Sequence, residues 1–151
     1  MQRDNWGKWA TGIALVLIIV SGTLMILLIN KRTTPVTLGD QMVYARIANN
    51  DDSRRQGLSG TSPLGEREAM LFVFEAPGRW GMWMREMKYN LDIVWLDSNK
   101  RVVDMAKDVS PDTYPKVFLP EKDSLYVIEL PAGYVDQHHV NIGQVAAFAE
   151  R

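Results

Sequence analysis

The run ATGIALVLIIVSGTLMILLIN carries no charged residue from Ala10 to Asn30. At 1.5 Å of rise per residue, about 20 apolar residues match a hydrocarbon core of about 30 Å. A helix that is apolar on every side has no polar face to turn toward water, so it belongs in a core or a bilayer. Trp6 and Trp9 lie where an interfacial aromatic belt would sit. A cleavable signal would have an apolar stretch of only about 7–15 residues ending in small residues. Here the run is longer and is followed by Lys31-Arg32 without an Ala-x-Ala pattern. The expectation is therefore one uncleaved transmembrane anchor over 10–30, after a tail of 1–9, with the lipid bilayer as its partner.

Charge on the two flanks is nearly balanced: Arg3 and Lys8 before the span, Lys31 and Arg32 after it. The free amino terminus tips the count toward an N-terminus inside. The expected location is the cytoplasmic membrane, single-pass, with everything after Arg32 outside the cytoplasm. Residues 31–40, with Pro35 and Gly39, read as a short linker, and 41–151 as a soluble β-rich domain.

Of 17 basic and 18 acidic residues, Arg3, Lys8, Lys31, Arg32 and Asp4 belong to the anchor region, which leaves the rest at a net −4. An acidic surface is a poor match for a phosphate backbone, so nucleic acid is not expected as a partner. The absence of Cys excludes disulfides, thiolate zinc sites and a cysteine nucleophile. No cofactor is implied.

The apolar pattern after the linker consists of short runs between turn residues. QMVYARIAN alternates, while AMLFVFE and LDIVWLD are continuous, as in strands buried on both faces. RVVDMA, SLYVIEL and QVAAFAE read as further strands. DSNK supplies the polar residues of a hairpin turn between two of them. Two short helices are expected, one from an Asp51/Asp52/Ser53 cap toward Gly57, the other over AGYVDQHHVN. The fold class is α+β, mostly β: a compact antiparallel sheet or partly closed barrel with one or two short helices, preceded by one transmembrane helix.

The stretch MWMREMKYNLDIVWLD, Met82 to Asp97, has three readings. As core, it needs only bulky Met and Trp filling irregular space. As a Cu(I) site, Met82 and Met84 would present two thioethers on one strand face, and His138 would complete the shell. The core reading is preferred, because alternating Met on a strand usually fills a core. As catalysis, the signal is a carboxylate inside an apolar run. Asp92 lies in NLDIVWL and Glu129 in YVIELPAG, and a buried ionised carboxylate is costly without a partner. Arg54, Arg55 and Arg85 are candidate partners. One acid with a raised pKa and one base form the pair that a glycosidase-like hydrolase needs, at separations of roughly 5–5.5 Å or about 6.5–9.5 Å.

The segment order RRQGLSG, AMLFVFE, WMREMKYNLDIVWLD and VIELPAG resembles the family known as domain of unknown function 192. The resemblance runs from Val43 to about Phe148. It rests on Arg54 with Gly57-Leu58, on Met70-Leu71-Phe72-x-Phe74, on Trp83-Met84 with Leu91-Asp92-Ile93, and on Glu129-Leu130-x-Ala132-Gly133. This chain departs from the family pattern at Ala69, at Glu86 in place of Asn, at Thr61 in place of a basic residue, and at Gly143-Gln144 in place of Gly-Asp. The resemblance implies a mainly β domain of the α+β class and no known activity. It draws attention to Arg54, Trp83, Met84, Asp92 and Glu129 as the lining of one polar and aromatic cleft. Tyr114, in the loop PDTYPKVFLPEKD, is a further candidate for apolar contact. The reading favours a non-enzymatic module that binds a small envelope ligand, a glycan or a partner protein. The alternatives are a hydrolase built on Asp92 and Glu129, and a Cu(I)-handling module.

Overall fold

A computed structural model describes residues 33–149. The expected tail 1–9 and membrane span 10–30 lie outside these residues. Among the described residues, no helix is long and apolar enough to cross a membrane.

The chain order is β1 (Thr33–Leu38), β2 (Gln41–Ala48), α1 (Asp51–Gln56), β3 (Glu68–Gly78), β4 (Met82–Trp83), β5 (Leu91–Leu96) and β6 (Val102–Val109). It continues with a 3-10 turn (Pro111–Thr113), β7 (Val117–Phe118), β8 (Ser124–Pro131), α2 (Tyr134–Gln137) and β9 (Ala147–Phe148). Seven strands form one sheet in the order β6-β5-β8-β3-β2-β1-β9, and β4 and β7 form a separate two-stranded ribbon. The ends of the large sheet approach each other. An antiparallel bridge joins Arg101 to Val145, and Val102 N–H donates to the Gln144 carbonyl at 2.8 Å. The sheet is thus a partly closed barrel.

Three sequence expectations need correction. The sheet is mixed, because β2 and β3 pair in parallel. Parallel neighbours require a crossover rather than a hairpin, and the segment carrying α1 supplies it. The supposed linker 31–40 contains β1, an outer-order strand with Val36 and Leu38 buried. The last strand and the second helix are also shorter than their patterns: β9 holds only Ala147–Phe148 and α2 only Tyr134–Gln137. The helix cannot run on through HH, because His139 takes a positive φ of 52°, which breaks the helical repeat.

The continuous apolar runs are buried on both faces, and β5 is buried at all 6 positions. Side chains alternate along each strand, so two cores result. The interior core gathers Val36, Leu38, Leu71, Val94, Tyr126, Ile128 and Leu130, capped by Tyr134 and Val135 of α2. The outer core gathers Met70, Phe72, Ile93, Trp95 and Val127, covered by Leu58 after α1 and by Met82 and Met84. The quoted methionines are therefore largely core, and the DSNK turn joins β5 to β6 as an antiparallel pair.

Helix α1 is capped one residue earlier than expected. Asn50 Oδ1 accepts from Ser53 N–H at 2.9 Å, and Ser53 Oγ accepts from Asn50 N–H at 3.2 Å. This reciprocal cap satisfies two of the otherwise orphaned N-terminal groups.

Candidate functional site: a cleft over the outer core

A cleft of about 260 Å³ opens between the C-terminal end of α1 and the ribbon strand β4. Its floor is the outer face of the sheet, with Phe72 and Phe74 from β3 and Glu129 from β8. One wall is Arg54 to Ser59; the other is Gly81, Met82 and Trp83, with Met87 beside them. Two loops hold these walls together. Ser59 Oγ–H donates to the Arg85 carbonyl at 2.9 Å, Gly60 N–H to the Glu86 carbonyl at 3.0 Å, and Arg85 Nη2 to the Arg55 carbonyl at 3.1 Å. Gly57 lets the helix end come down on the floor. Its φ is 49°, and a Cβ there would stand 3.3 Å from Phe72 Cζ.

The floor carboxyl is the distinctive group. Strand register puts Glu129 level with Met70 on one side and Ile93 on the other. The residue is only 4% exposed, and its Oε2 is buried without a hydrogen-bond partner among the described residues. Burial pushes the Glu129 pKa from the ordinary 4.5 up to about 8, with the Arg46 charge opposing the shift. At neutral pH it is therefore mainly a neutral acid with a proton to donate.

Arg54 stands at the side of the cleft with its hydrogen bonds committed. Nη1 donates to the Val73 carbonyl at 2.9 Å, and Nη2 to Asp51 at 2.6 Å and Glu75 at 3.1 Å. Its guanidinium lies 5.4 Å from the Phe74 ring centroid, and Phe74 stacks on Trp80 at 4.2 Å. Partial burial works against the Arg54 charge, but the bonds to Asp51 and Glu75 outweigh it and raise the pKa. Trp83 is 46% exposed, with the Arg85 guanidinium 5.4 Å from its ring centroid.

Of the expected ligand-binding residues, the cleft brings together Arg54, Trp83 and Glu129 and leaves out three. Met84 is buried in the outer core. Tyr114 is exposed and does not line the cleft. Asp92 is fully buried and points the other way. Its cross-strand neighbour is Leu130, which faces the interior core, whereas Glu129 is level with Ile93 in the outer core. Asp92 Oδ1 accepts from Asp108 N–H and Oδ2 from Val135 N–H, both at 2.8 Å. The second bond anchors the first turn of α2. The sheet itself thus separates Asp92 from Glu129, and the two carboxyl groups share no cleft.

The copper set is also dispersed. Met82 and Met84 lie in the outer core, while His138 is bound to Asp40 at 2.7 Å and packs on Tyr134 of the interior core. Among the described residues, no three His, Cys, Asp or Glu side chains gather to hold a metal ion.

Sequence reasoning missed Phe72, Phe74 and Met87 as cleft residues, and used Arg55 only as a possible ion-pair partner. The available signal was the RRQGLSG segment, whose turn residues between helix and strand mark a loop over the sheet.

The family model described as "Uncharacterized ACR", DUF192, matches residues 33–148. This chain belongs to the DUF192 family. It is similar to the UPF0127 protein PF1050 of Pyrococcus furiosus, at 30% identity over 114 residues, covering 72% of this chain and 90% of that protein. Two solved structures share the fold. One is described as a putative transcription regulator from Sinorhizobium meliloti, with TM-score 0.73 and 22% identity over 77% of this chain and 93% of that one. The other is a protein of unknown function from Novosphingobium aromaticivorans, with TM-score 0.72 and 23% identity over 76% and 84% of the two chains. At these identities the likeness speaks for the fold alone.

Proposed function

We propose that this DUF192 member is a binding module tethered to the cytoplasmic membrane by residues 10–30, its domain outside, and that the cleft between α1 and β4 takes a small envelope ligand. The observation that carries the reading is Glu129. A buried polar atom without a partner costs free energy that folding alone does not recover, and this one stands on the floor of an open, mostly apolar cleft. Such a combination of apolar walls and few convergent polar groups is the usual form of a ligand site. Among the described residues, Glu129 is the only carboxylate lining the cleft. That favours binding over two-carboxylate hydrolysis. A tether keeps the module near membrane-bound partners and raises its effective concentration there.

The test is a library of small polar and amphipathic compounds screened against the full chain in detergent, by thermal shift and by amide chemical-shift perturbation. Binders should perturb Gly57, Trp83 and Glu129, and Trp83→Ala should weaken them. If all binders leave these residues unmoved, the cleft is not the site. A periplasm-dependent reporter fused after Arg151 should be active; activity of a cytoplasm-dependent reporter instead would reverse the topology.

A further inference from the structure

The charged groups in the cleft lining are Arg54, Arg55 and Glu129. They differ in what is left for a ligand. Arg54 is occupied by Val73, Asp51 and Glu75. Arg55, one residue on, is exposed, and its side chain has no ion pair or hydrogen bond among the described residues. The mouth of the cleft therefore offers an uncommitted guanidinium, which favours planar anions such as carboxylates. The floor offers the Glu129 carboxyl between Met70 and Ile93; its inner oxygen, Oε2, is buried and, among the described residues, has no partner. A neutral carboxyl group donates one hydrogen bond and accepts others, so it is complementary to an uncharged carbonyl. Between mouth and floor the lining is Leu58, Phe72, Met82 and Met87.

The obvious rival is an ammonium ligand bound by Glu129 as a carboxylate and by aromatic faces. Two of the three cleft aromatics, Trp83 and Phe74, already carry a cation or a stacked ring, which leaves only Phe72 for such a cage. Arg85 lies over Trp83, and Phe74 has Trp80 stacked on it and Arg54 over it.

We infer that the cleft selects a small organic anion with an apolar body and an uncharged carbonyl oxygen, its anionic group meeting Arg55 at the mouth and its carbonyl accepting from Glu129 at the floor. N-acyl amino acids are the simplest members of this class. The inference rests on the reading of the cleft as a binding site and narrows it to one chemistry.

The probe is N-acetyl-leucine, titrated into the full chain in detergent at pH 6.5. The comparison compounds are N-acetyl-leucinamide, which keeps the carbonyl and loses the charge, and isoamylammonium, which represents the rival. A ligand of this size should bind in about the millimolar range. The acid should bind about threefold tighter than the amide, because a pair with an exposed arginine contributes little. Arg55→Gln should abolish that difference, bringing the acid-to-amide affinity ratio to about one. Glu129→Leu should weaken both acyl compounds about tenfold, whereas Glu129→Gln, which keeps a donor, should largely retain them.

Affinity should also fall between pH 6.5 and 9 as Glu129 loses its proton. The charge that bears on it is Arg46 from β2; Arg54 and Arg55 from α1 line the same cleft, and Met70 and Ile93 beside it and Met82 in the cleft wall are uncharged. Tighter binding of isoamylammonium than of N-acetyl-leucine would overturn the anion assignment, as would an unchanged acid-to-amide ratio in Arg55→Gln. Either result leaves the cleft as a binding site. Shifts at the cleft from library compounds but from none of these probes would likewise defeat the class alone. A library that moves no cleft residue would defeat the underlying reading.

Discussion

Asp92 and Glu129 are both carboxylates embedded in apolar strands, yet the two faces of the barrel wall treat them differently. On the inner face, Asp92 is closed off from solvent and each oxygen accepts a backbone N–H. It replaces water with fixed donors and pins α2 to the sheet. On the outer face, Glu129 has an oxygen with no partner and sits at the bottom of a cleft. Burial of a charged residue type is therefore not in itself the mark of a site. The mark is burial whose hydrogen-bonding needs the fold leaves unmet.

The sharpest way to break this contrast is Asp92→Ala. It removes both acceptors and leaves the buried N–H of Val135 and the part-buried N–H of Asp108 without their partner. The expected loss is about 3–4 kcal/mol in urea unfolding, with early exchange of the α2 amides. A loss under about 1 kcal/mol would show that Asp92 is not the anchor of that end.

The next effect belongs to Glu129 and has the opposite sign. Its folded pKa lies near 8, above the ordinary 4.5, so between these values the native state holds a proton that the unfolded chain releases. Stability then falls as pH rises through this window and levels off above it. Glu129→Gln removes the titrating group. It should flatten that decline and leave the variant about 2 kcal/mol more stable than the parent at pH 9, after allowing for the amide's own imperfect burial. Parallel stability–pH curves for the two proteins would mean that Glu129 titrates normally.

The smallest of the three effects probes the cleft wall. A Cβ on Gly81 would come within 2.5 Å of Val117 Cγ1 and 3.2 Å of Leu119 Cδ2. Gly81→Ala should therefore push β4 from β7 and cost about 1–2 kcal/mol, while leaving the Asp92 anchor untouched. Because Gly81 also lines the cleft, amide shifts should concentrate at Met82 and Trp83 and be absent around α2. Shifts spread evenly over both faces would show that the two cores are one cooperative unit rather than separable layers.

Much of the fold was legible in advance because strand periodicity is a local property. AMLFVFE and LDIVWLD are continuous apolar runs, and β3 and β5 each contribute to both cores. Turn chemistry located the DSNK hairpin for the same reason. The parallel pairing of β2 with β3 was not legible, since no residue in either strand encodes which way its neighbour runs. The site was half legible. Arg54, Trp83 and Glu129 could be suspected as polar or aromatic residues in apolar company, but Asp92 carried the same signature and proved structural.

The sequence by itself determined where the long apolar strands β3 and β5 and the DSNK turn fall, that cysteine chemistry is absent, and that 10–30 is apolar enough to span a bilayer, because each of these is written in residue type and short-range spacing. Tertiary structure alone decided which face each carboxylate occupies and which backbone donors reach it. Side chains alternate at every residue, so Asp92 and Glu129 are assigned to opposite faces only when cross-strand register aligns one with Leu130 and the other with Ile93. A buried acid becomes an anchor or a binding group according to what chain-distant backbone is brought against it.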